Sequence, residues 1–256
     1  MLVIQPTTLD DVLAADPSAT LVAGGTGVLV EMNAGRAPAS LVDLSRVARL
    51  AAVEDDGDVV RIGATVPYTR IIEELGELLP GLALACRTVA SRQIRNRGTL
   101  GGALALRDPT SDALAALLAA DAEVELASPA GVRTVGLGEL EIGPGEVLTA
   151  ILVPVADGPV AYAKAGMRNA MARAICGVAV AVSPARRRVA IGVVGARAVR
   201  AHEAEALVAR EARWDGEPPD AALLRRAGEL VAVAFAPIPA HMAAVLTRRA
   251  LERAWS

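Results

Sequence analysis

Aromatic side chains and cysteine are scarce in this sequence of 256 residues. Hydrophobic residues make up 53% of the sequence, but Phe, Trp and Tyr together make up only 2%. A core therefore has to be built mainly from aliphatic side chains. The two cysteines, Cys86 and Cys176, are too few for an iron–sulfur cluster or a structural zinc ion, each of which usually needs about four ligands. We therefore expect two buried free thiols and no metal held by this chain.

The sequence also lacks a strong net charge, a signal-peptide pattern in its first residues and an uninterrupted apolar run. Its formal net charge is -3, which offers no basic face for nucleic acid. The first residues lack the charged and then apolar pattern of a signal peptide. The longest run without charge, residues 230–247, contains Pro237 and Pro239, which interrupt a membrane-spanning helix. These absences predict a cytoplasmic protein with no transmembrane segment and no nucleic-acid partner.

Apolar runs alternate with turn signals in the first part of the chain. A hairpin is predicted from residues 51–54 and 59–62, which flank the Asp56-Gly57 turn signal. A helix is predicted from Asp112 to about Ala120, with Asp112 as its candidate cap. This part therefore mixes strands with helices.

The character of the sequence changes after Pro154. Three strands are predicted, at residues 160–165, 174–182 and 188–194. Three amphipathic helices follow them, at residues 199–208, 221–233 and 241–253. The fold class is therefore α+β, with a separate module of strands and then helices at the end.

Two glycine clusters carry most of the functional information. They are Ala23-Gly24-Gly25-Thr26-Gly27, directly after a predicted strand, and Gly98-Thr99-Leu100-Gly101-Gly102. Glycine permits positive φ and close approach of a ligand, and consecutive backbone N–H groups in such loops form anion sites. Thr26 and Thr99 add hydroxyl donors. Two such loops that meet in space can hold a pyrophosphate from both sides.

Neither cluster matches the common nucleotide-binding signatures. A Walker A loop needs Gly-Lys-Ser or Gly-Lys-Thr and a Rossmann site needs G-x-G-x-x-G, and the sequence contains none of these. Spacing alone leaves two interpretations of each cluster, a ligand loop or a tight turn. The arginines before the second cluster, Arg92, Arg95 and Arg97, are similarly compatible with phosphate contact or with exposure to solvent or a partner.

The residues around both clusters resemble the flavin subunits of molybdenum hydroxylases, the carbon monoxide dehydrogenase and xanthine dehydrogenase type. Residues 21–26 (LVAGGT), followed by residues 41–45 (LVDLS), are similar to their first FAD loop. Residues 90–102 (ASRQIRNRGTLGG) are similar to their second. Lys164 and Arg168 resemble the family's Lys-x-x-x-Arg pair, and Val199-Arg200 resembles part of its C-terminal domain.

The resemblance implies a fold, a domain order and a set of cofactor contacts. The fold is a two-lobed FAD-binding domain of the vanillyl-alcohol-oxidase (PCMH) type, residues 1–56 and 57–157, followed by a small C-terminal α+β domain, residues 158–256. The pyrophosphate of FAD is expected between the two loops. The residues carried over as cofactor contacts are Ala23, Gly24, Gly25, Thr26, Gly27, Val28, Val89, Gly98, Thr99, Gly101, Gly102, Ala103, Ser111, Asp112, Leu148 and Lys164. No residue is expected to be catalytic.

The same resemblance implies an oxidoreductase subunit that transfers electrons and does not touch the substrate. A molybdopterin-binding large subunit would oxidise the substrate, and a small iron–sulfur subunit with 2Fe-2S clusters would pass electrons to FAD. FAD would hand them to an external acceptor. Lys164, near the flavin ring, is expected to stabilise anionic reduced flavin. The expected assembly is a dimer of heterotrimers.

Three positions depart from the family's pattern. Gly27 stands where acidic or hydroxyl residues are common, Ala103 where Asn or Asp is usual, and Leu106 in place of a small or polar residue. These changes remove side-chain contacts and leave the backbone amides in place. Ala103 and Leu106 keep open the alternative of a scaffold subunit that has lost FAD. A stand-alone flavin oxidase of the same fold is a second alternative, and it would need a substrate domain of its own.

Overall fold

The computed structural model describes residues 1–168, 171–235 and 240–255, and Pro237 and Pro239 lie outside these ranges. The strands are β1 (Leu2–Ile4), β2 (Thr20–Val22), β3 (Ser40–Asp43), β4 (Val53–Asp55), β5 (Val59–Gly63), β6 (Glu123–Ser128), β7 (Gly131–Gly136), β8 (Val147–Pro154), β9 (Val160–Gly166), β10 (Ala174–Ser183), β11 (Arg188–Val194) and β12 (Val199–Arg200). The helices are α1 (Leu9–Leu13), α2 (Val28–Asn33), α3 (Tyr68–Glu74), α4 (Pro80–Arg87), α5 (Arg92–Arg97), α6 (Leu100–Ala105), α7 (Asp112–Ala119), α8 (His202–Glu211), α9 (Ala221–Ala234) and α10 (Ala240–Trp255). Within the described ranges, no helix combines the length and the apolar composition that crossing a bilayer requires.

The first compact unit comprises residues 1–70, 91–108 and 122–154 and contains two sheets. A parallel sheet has the strand order β1-β3-β2, and an antiparallel sheet has the order β4-β5-β8-β6-β7. The predicted hairpin is confirmed, since β4 pairs with β5 and Val53 lies opposite Ile62. Small aliphatic side chains such as Val42, Leu44 and Leu50 fill a core of this unit, as the low aromatic content requires.

The second compact unit comprises residues 71–90, 109–121 and the described part of 155–256. Its antiparallel sheet has the order β12-β11-β10-β9. Val189, Ile191 and Val193 of β11 face a core formed with α8, α9 and α10. Gly192 lies on the opposite face of that strand, where it touches α7. The sheet is therefore covered by helices on both faces.

The two cysteines are both buried and neither forms a disulfide, as the sequence predicts. Cys176 lies on β10 in the core of the second unit. Burial raises the pKa of the Cys176 thiol to about 11, so it stays protonated near neutral pH and acts as a small apolar side chain.

One predicted helix boundary is wrong. Residues Val199 and Arg200 form β12, which pairs with β11, and α8 begins only at His202. The Arg200 guanidinium contacts Asp121 and makes two hydrogen bonds to Glu205, of 2.7 and 2.9 Å, which keeps this segment extended beside β11. The predicted domains, residues 1–56, 57–157 and 158–256, were drawn from the family resemblance, whereas the two units are defined by compactness. The domain boundaries therefore stay a prediction.

Gly192→Ala is expected to destabilise the second unit. An added Cβ would lie 2.1 Å from the carbonyl oxygen of Ala115 and 3.0 Å from the backbone nitrogen of Ala119, so β11 and α7 would have to separate. Such overpacking costs about 1–3 kcal/mol. Thermal unfolding followed by circular dichroism should show a lower midpoint. The control Gly138→Ala, where nothing lies within 4 Å, should melt with the wild type, and equal midpoints for all three proteins would contradict the packing.

Candidate functional site

The two glycine clusters lie against each other within the first unit. We call residues 23–28, between β2 and α2, the first loop, and residues 98–103, after α5, the second loop. A Cβ on Gly24 would lie 1.7 Å from the carbonyl oxygen of Arg97, and one on Gly98 would lie 3.3 Å from Thr26 Oγ1. The prediction that the loops meet is therefore confirmed, and position 24 has no space for a side chain.

The first loop offers a run of unused backbone donors. Within the described residues, the five amides from Gly24 to Val28 have no hydrogen-bond acceptor, and the hydroxyl of Thr26 has no partner. Gly25 has a φ of +74°, in the left-handed region, whereas Gly27 is right-handed with a φ of -87°. Mixing these two conformations lets successive N–H groups converge on one anion. The loop is partly exposed, so a ligand can reach it. This arrangement fits the oxygens of a diphosphate.

The second loop uses its amides within the first unit. Each of the four amides from residue 100 to residue 103 already has an acceptor. In chain order the acceptors are Val66 O at 3.1 Å, Ala64 O at 3.1 Å, Thr99 Oγ1 at 3.2 Å and Thr99 O at 3.1 Å. The expectation that this loop forms a second cradle of free amides is therefore wrong for these four residues.

The glycines of the second loop serve close packing. A Cβ on Gly101 would lie 2.6 Å from the Cβ of Ala64, and one on Gly102 would lie 2.8 Å from Thr99 Oγ1. Thr99 is buried and caps the N-terminus of α6. The second loop thus supports the first by holding Arg97 and Gly98 in place. Contact between the second loop and a cofactor through other atoms stays a prediction.

In the second unit, Asp112 and Lys164 form a buried ion pair. Lys164 Nζ lies 2.6 Å from Asp112 Oδ2, and the two side chains are 13% and 5% exposed. Lys164 also donates to the carbonyl oxygens of Ala172, at 2.7 Å, and Thr88, at 3.3 Å. An ammonium group has three donors, so these contacts use all of them. The neighbouring carboxylate also balances its charge.

The sequence predicted Asp112 as the cap of α7, and this prediction is wrong. Ser111 is the N-cap residue and makes no side-chain cap hydrogen bond, while Asp112 is the first helical residue. Its carboxylate instead accepts hydrogen bonds from Lys164 and from the Tyr162 hydroxyl, the latter at 2.6 Å. Burial, followed by the charge of Asp112, raises the pKa of Tyr162 well above its usual value, so the hydroxyl stays protonated and donates.

Residues 2–156 match a family model described as the FAD binding domain in molybdopterin dehydrogenase. The chain belongs to this family. The resemblance inferred from the glycine loops is thereby confirmed, as is the identity of the cofactor that the family binds. The match covers the first unit and also α4 and α7 of the second.

Curated relatives are named as subunits or chains of hydroxylases and dehydrogenases. The nicotine 6-hydroxylase medium subunit of Paenarthrobacter nicotinovorans is 34% identical over 189 residues, which cover 70% of this chain and 66% of the relative. The xanthine dehydrogenase FAD-binding subunit of Escherichia coli O157:H7 is 35% identical over 54% of this chain and 48% of the relative. The carbon monoxide dehydrogenase medium chain of Hydrogenophaga pseudoflava is 35% identical over 53% and 51%. The aligned parts thus span about half to two thirds of these relatives.

Solved structures extend the similarity to the whole chain. A chain of the cyanide-inactivated Cu,Mo-CO dehydrogenase superposes with a TM-score of 0.88 at 29% identity, covering 100% of this chain and 97% of that one. A chain of the carbon monoxide dehydrogenase from Hydrogenophaga pseudoflava gives 0.87 at 26% identity with the same coverage. The predicted α+β class is confirmed. The chain therefore combines the family's FAD binding domain with the fold of a carbon monoxide dehydrogenase chain.

The other residues predicted to contact the cofactor, Leu148, Val89 and Ser111, are buried or partly buried. Leu148 lies in β8 of the first unit and is 6% exposed. Val89, after α4, and Ser111, before α7, are partly buried residues of the second unit.

Sequence reasoning missed Ala64 and Val66, whose carbonyl oxygens accept the amides of the second loop. The small residues Gly63-Ala64 were an available signal of close backbone approach.

Gly24→Ala is expected to weaken FAD binding at least about tenfold, since its Cβ would collide with a backbone carbonyl and force the two loops apart. Equilibrium titration of the unliganded protein with FAD measures the change, and circular dichroism checks the fold. Gly136→Ala is the matched control in the same unit, because nothing lies within 4 Å of its added Cβ. Wild-type affinity in Gly24→Ala would contradict this account of the loops.

Lys164→Met is expected to destabilise the protein by about 3–5 kcal/mol, because it leaves the buried Asp112 carboxylate without its cation. The double variant Asp112→Asn with Lys164→Met removes both charges and should recover part of that loss. Urea denaturation of the wild type, Lys164→Met, Asp112→Asn and the double variant measures the coupling. A double variant no more stable than Lys164→Met alone would show that the ion pair is not the cause.

Proposed function

We propose that this chain is the FAD-carrying electron-transfer subunit of a molybdenum-containing hydroxylase or dehydrogenase. The observation that carries the proposal is the run of five unpaired amides in the first loop of a family member. When bound, FAD supplies the redox chemistry, accepting electrons singly and passing them on. The residues of the chain bind it, orient it and keep water from it.

The diphosphate of FAD is held, in this proposal, by the amides from Gly24 to Val28 and the hydroxyl of Thr26. The second loop supports them from behind. Val89, Ser111, Asp112, Leu148 and Lys164 are proposed as further contacts, within a two-lobed domain of the vanillyl-alcohol-oxidase type. Because Lys164 is paired with Asp112, it would approach the cofactor as half of a neutral pair. A neutral pair stabilises an anionic flavin less than a lone ammonium group would, so the expected role of Lys164 is weaker than the sequence suggested.

The proposed partners follow from what relatives are called and from the cysteine count. The names of the relatives describe a medium subunit, a medium chain and an FAD-binding subunit of hydroxylases and dehydrogenases. Two buried cysteines are too few for an iron–sulfur cluster held by this chain alone. We therefore propose a small 2Fe-2S subunit as the electron donor and a molybdopterin-binding large subunit as the site of substrate oxidation. The assembly would be a dimer of heterotrimers that reduces an external acceptor.

The purified chain is expected to bind FAD and to show the visible absorption of an oxidised flavin. Gly25→Val should lose it, because a β-branched residue cannot readily adopt the φ of +74° that orients the free amides. Gly136→Val, on a strand with open space around it, should keep it. A folded wild-type chain that takes up no added FAD would establish the alternative of a scaffold subunit, for which Ala103 and Leu106 were the sequence grounds.

Reduction of the flavin is expected to depend on the partners. The chain alone should not be reduced by the organic substrate, and the reassembled complex with both other subunits should be. Stopped-flow absorbance of the flavin measures this directly. A monomer that oxidises an organic substrate unaided would instead identify a stand-alone flavin oxidase.

A further inference from the structure

Leu106 lies directly on Gly27 of the first loop. A Cβ on Gly27 would be 2.3 Å from Leu106 Cδ1, 3.2 Å from Cδ2 and 3.3 Å from Cγ. Leu106 ends α6, and its amide donates to the carbonyl oxygen of Gly102 at 3.2 Å. A side chain anchored behind the second loop therefore reaches across to the first, and both residues belong to the same compact unit.

The exposure of Leu106 sets it apart from the other leucines of its helix. Leu100 and Leu104 are 0% and 4% exposed and pack into the interior, whereas Leu106 is 55% exposed. An isobutyl group that remains half in water adds little to the core. It lies beside amides that have no acceptor in the described part of the chain. The position of Leu106 is explained if the ligand of the first-loop amides covers the exposed side of its side chain.

We infer that Leu106 is a ligand-contacting wall of the amide cradle and that Gly27 lacks a side chain in order to admit it. The inference rests on the proposed function and deepens it, because the ligand is the diphosphate part of FAD. An apolar wall keeps water from the N–H···O contacts, which strengthens each of them in the lower local dielectric. Gly27 and Leu106, two of the three positions expected to depart from the family's pattern, thus form one coupled feature.

The coupling predicts how single and paired substitutions act. In Gly27→Ser the new side chain must displace Leu106 Cδ1, the flexible end of that residue, and so disturbs the wall. In Leu106→Ala the wall is lost and water reaches the cradle. In the double variant the hydroxyl occupies the space that the isobutyl group has left. The loss of FAD affinity in the double variant should then be at least about threefold smaller than the product of the two single losses.

The test is a double-mutant cycle with two readouts. The thermal midpoint of the protein without FAD reports the contact between Gly27 and Leu106, and the FAD dissociation constant, from flavin fluorescence, reports the wall. A control cycle combines Leu106→Ala with Gly138→Ser, a position with nothing within 4 Å. We expect coupling in both readouts for the first cycle and independent effects in the control cycle.

The outcomes separate this inference from the proposed function. Coupling in stability without coupling in FAD affinity, in a wild type that binds FAD, would overturn the role of Leu106 as a wall and leave the proposed function intact. Independent effects in both readouts would overturn the pair itself. A wild type that binds no FAD would overturn the proposed function, and with it the ligand contact, whatever the stability cycle shows.

Discussion

The approach of Gly24 to the carbonyl oxygen of Arg97 is the contact on which the candidate site depends. It holds two segments more than 70 positions apart in the sequence against each other without an intervening side chain. Because the second loop uses its amides on Ala64, Val66 and Thr99, it is fixed before any ligand arrives. The first loop can therefore leave its own amides unpaired and still be held in shape. A rigid loop with free donors loses little conformational freedom on binding, which favours affinity.

In the second unit, ionic contacts hold α7 at both ends. At its start, Asp112 bonds to Tyr162 and Lys164 of β9. Just beyond its end, Asp121 contacts Arg188 and Arg200, and Arg200 is itself held by the buried Glu205. Between these points, Gly192 lets β11 approach the helix backbone. Buried charges are costly unless they are paired, and this applies to Asp112 with Lys164 and to Arg200 with Glu205, whereas Asp121 and Arg188 are partly exposed.

The sequence allowed the two loops, the hairpin and the α+β class to be predicted because each depends on local chemistry. Glycine pairs, a turn signal and alternating apolar residues report backbone conformation within a few positions. It did not reveal that the amides of residues 100–103 already have acceptors, since Ala64 and Val66 are about 35 residues away in sequence and belong to ordinary apolar positions. Asp112 was misassigned for the same reason. A helix cap is a local property, whereas its bonds to Tyr162 and Lys164 cross about 50 residues.

The C-terminal region, which lies beyond the stretch that the family model matches, packs against helices inside that stretch. The family match ends at residue 156, yet α4 and α7, which lie within it, pack in the same compact unit as residues 157–168, 171–235 and 240–255. Helix α7 is almost wholly apolar, and its buried residues Ala115, Leu117 and Leu118 need a surface to cover them. Part of that surface is the face of β11 that carries Gly192, beyond the matched stretch. The matched stretch alone would leave this face of α7 uncovered, and Asp112 would lose both Tyr162 and Lys164. The C-terminal strands therefore complete the packing of the helix that begins with one predicted cofactor contact, Asp112, and follows another, Ser111.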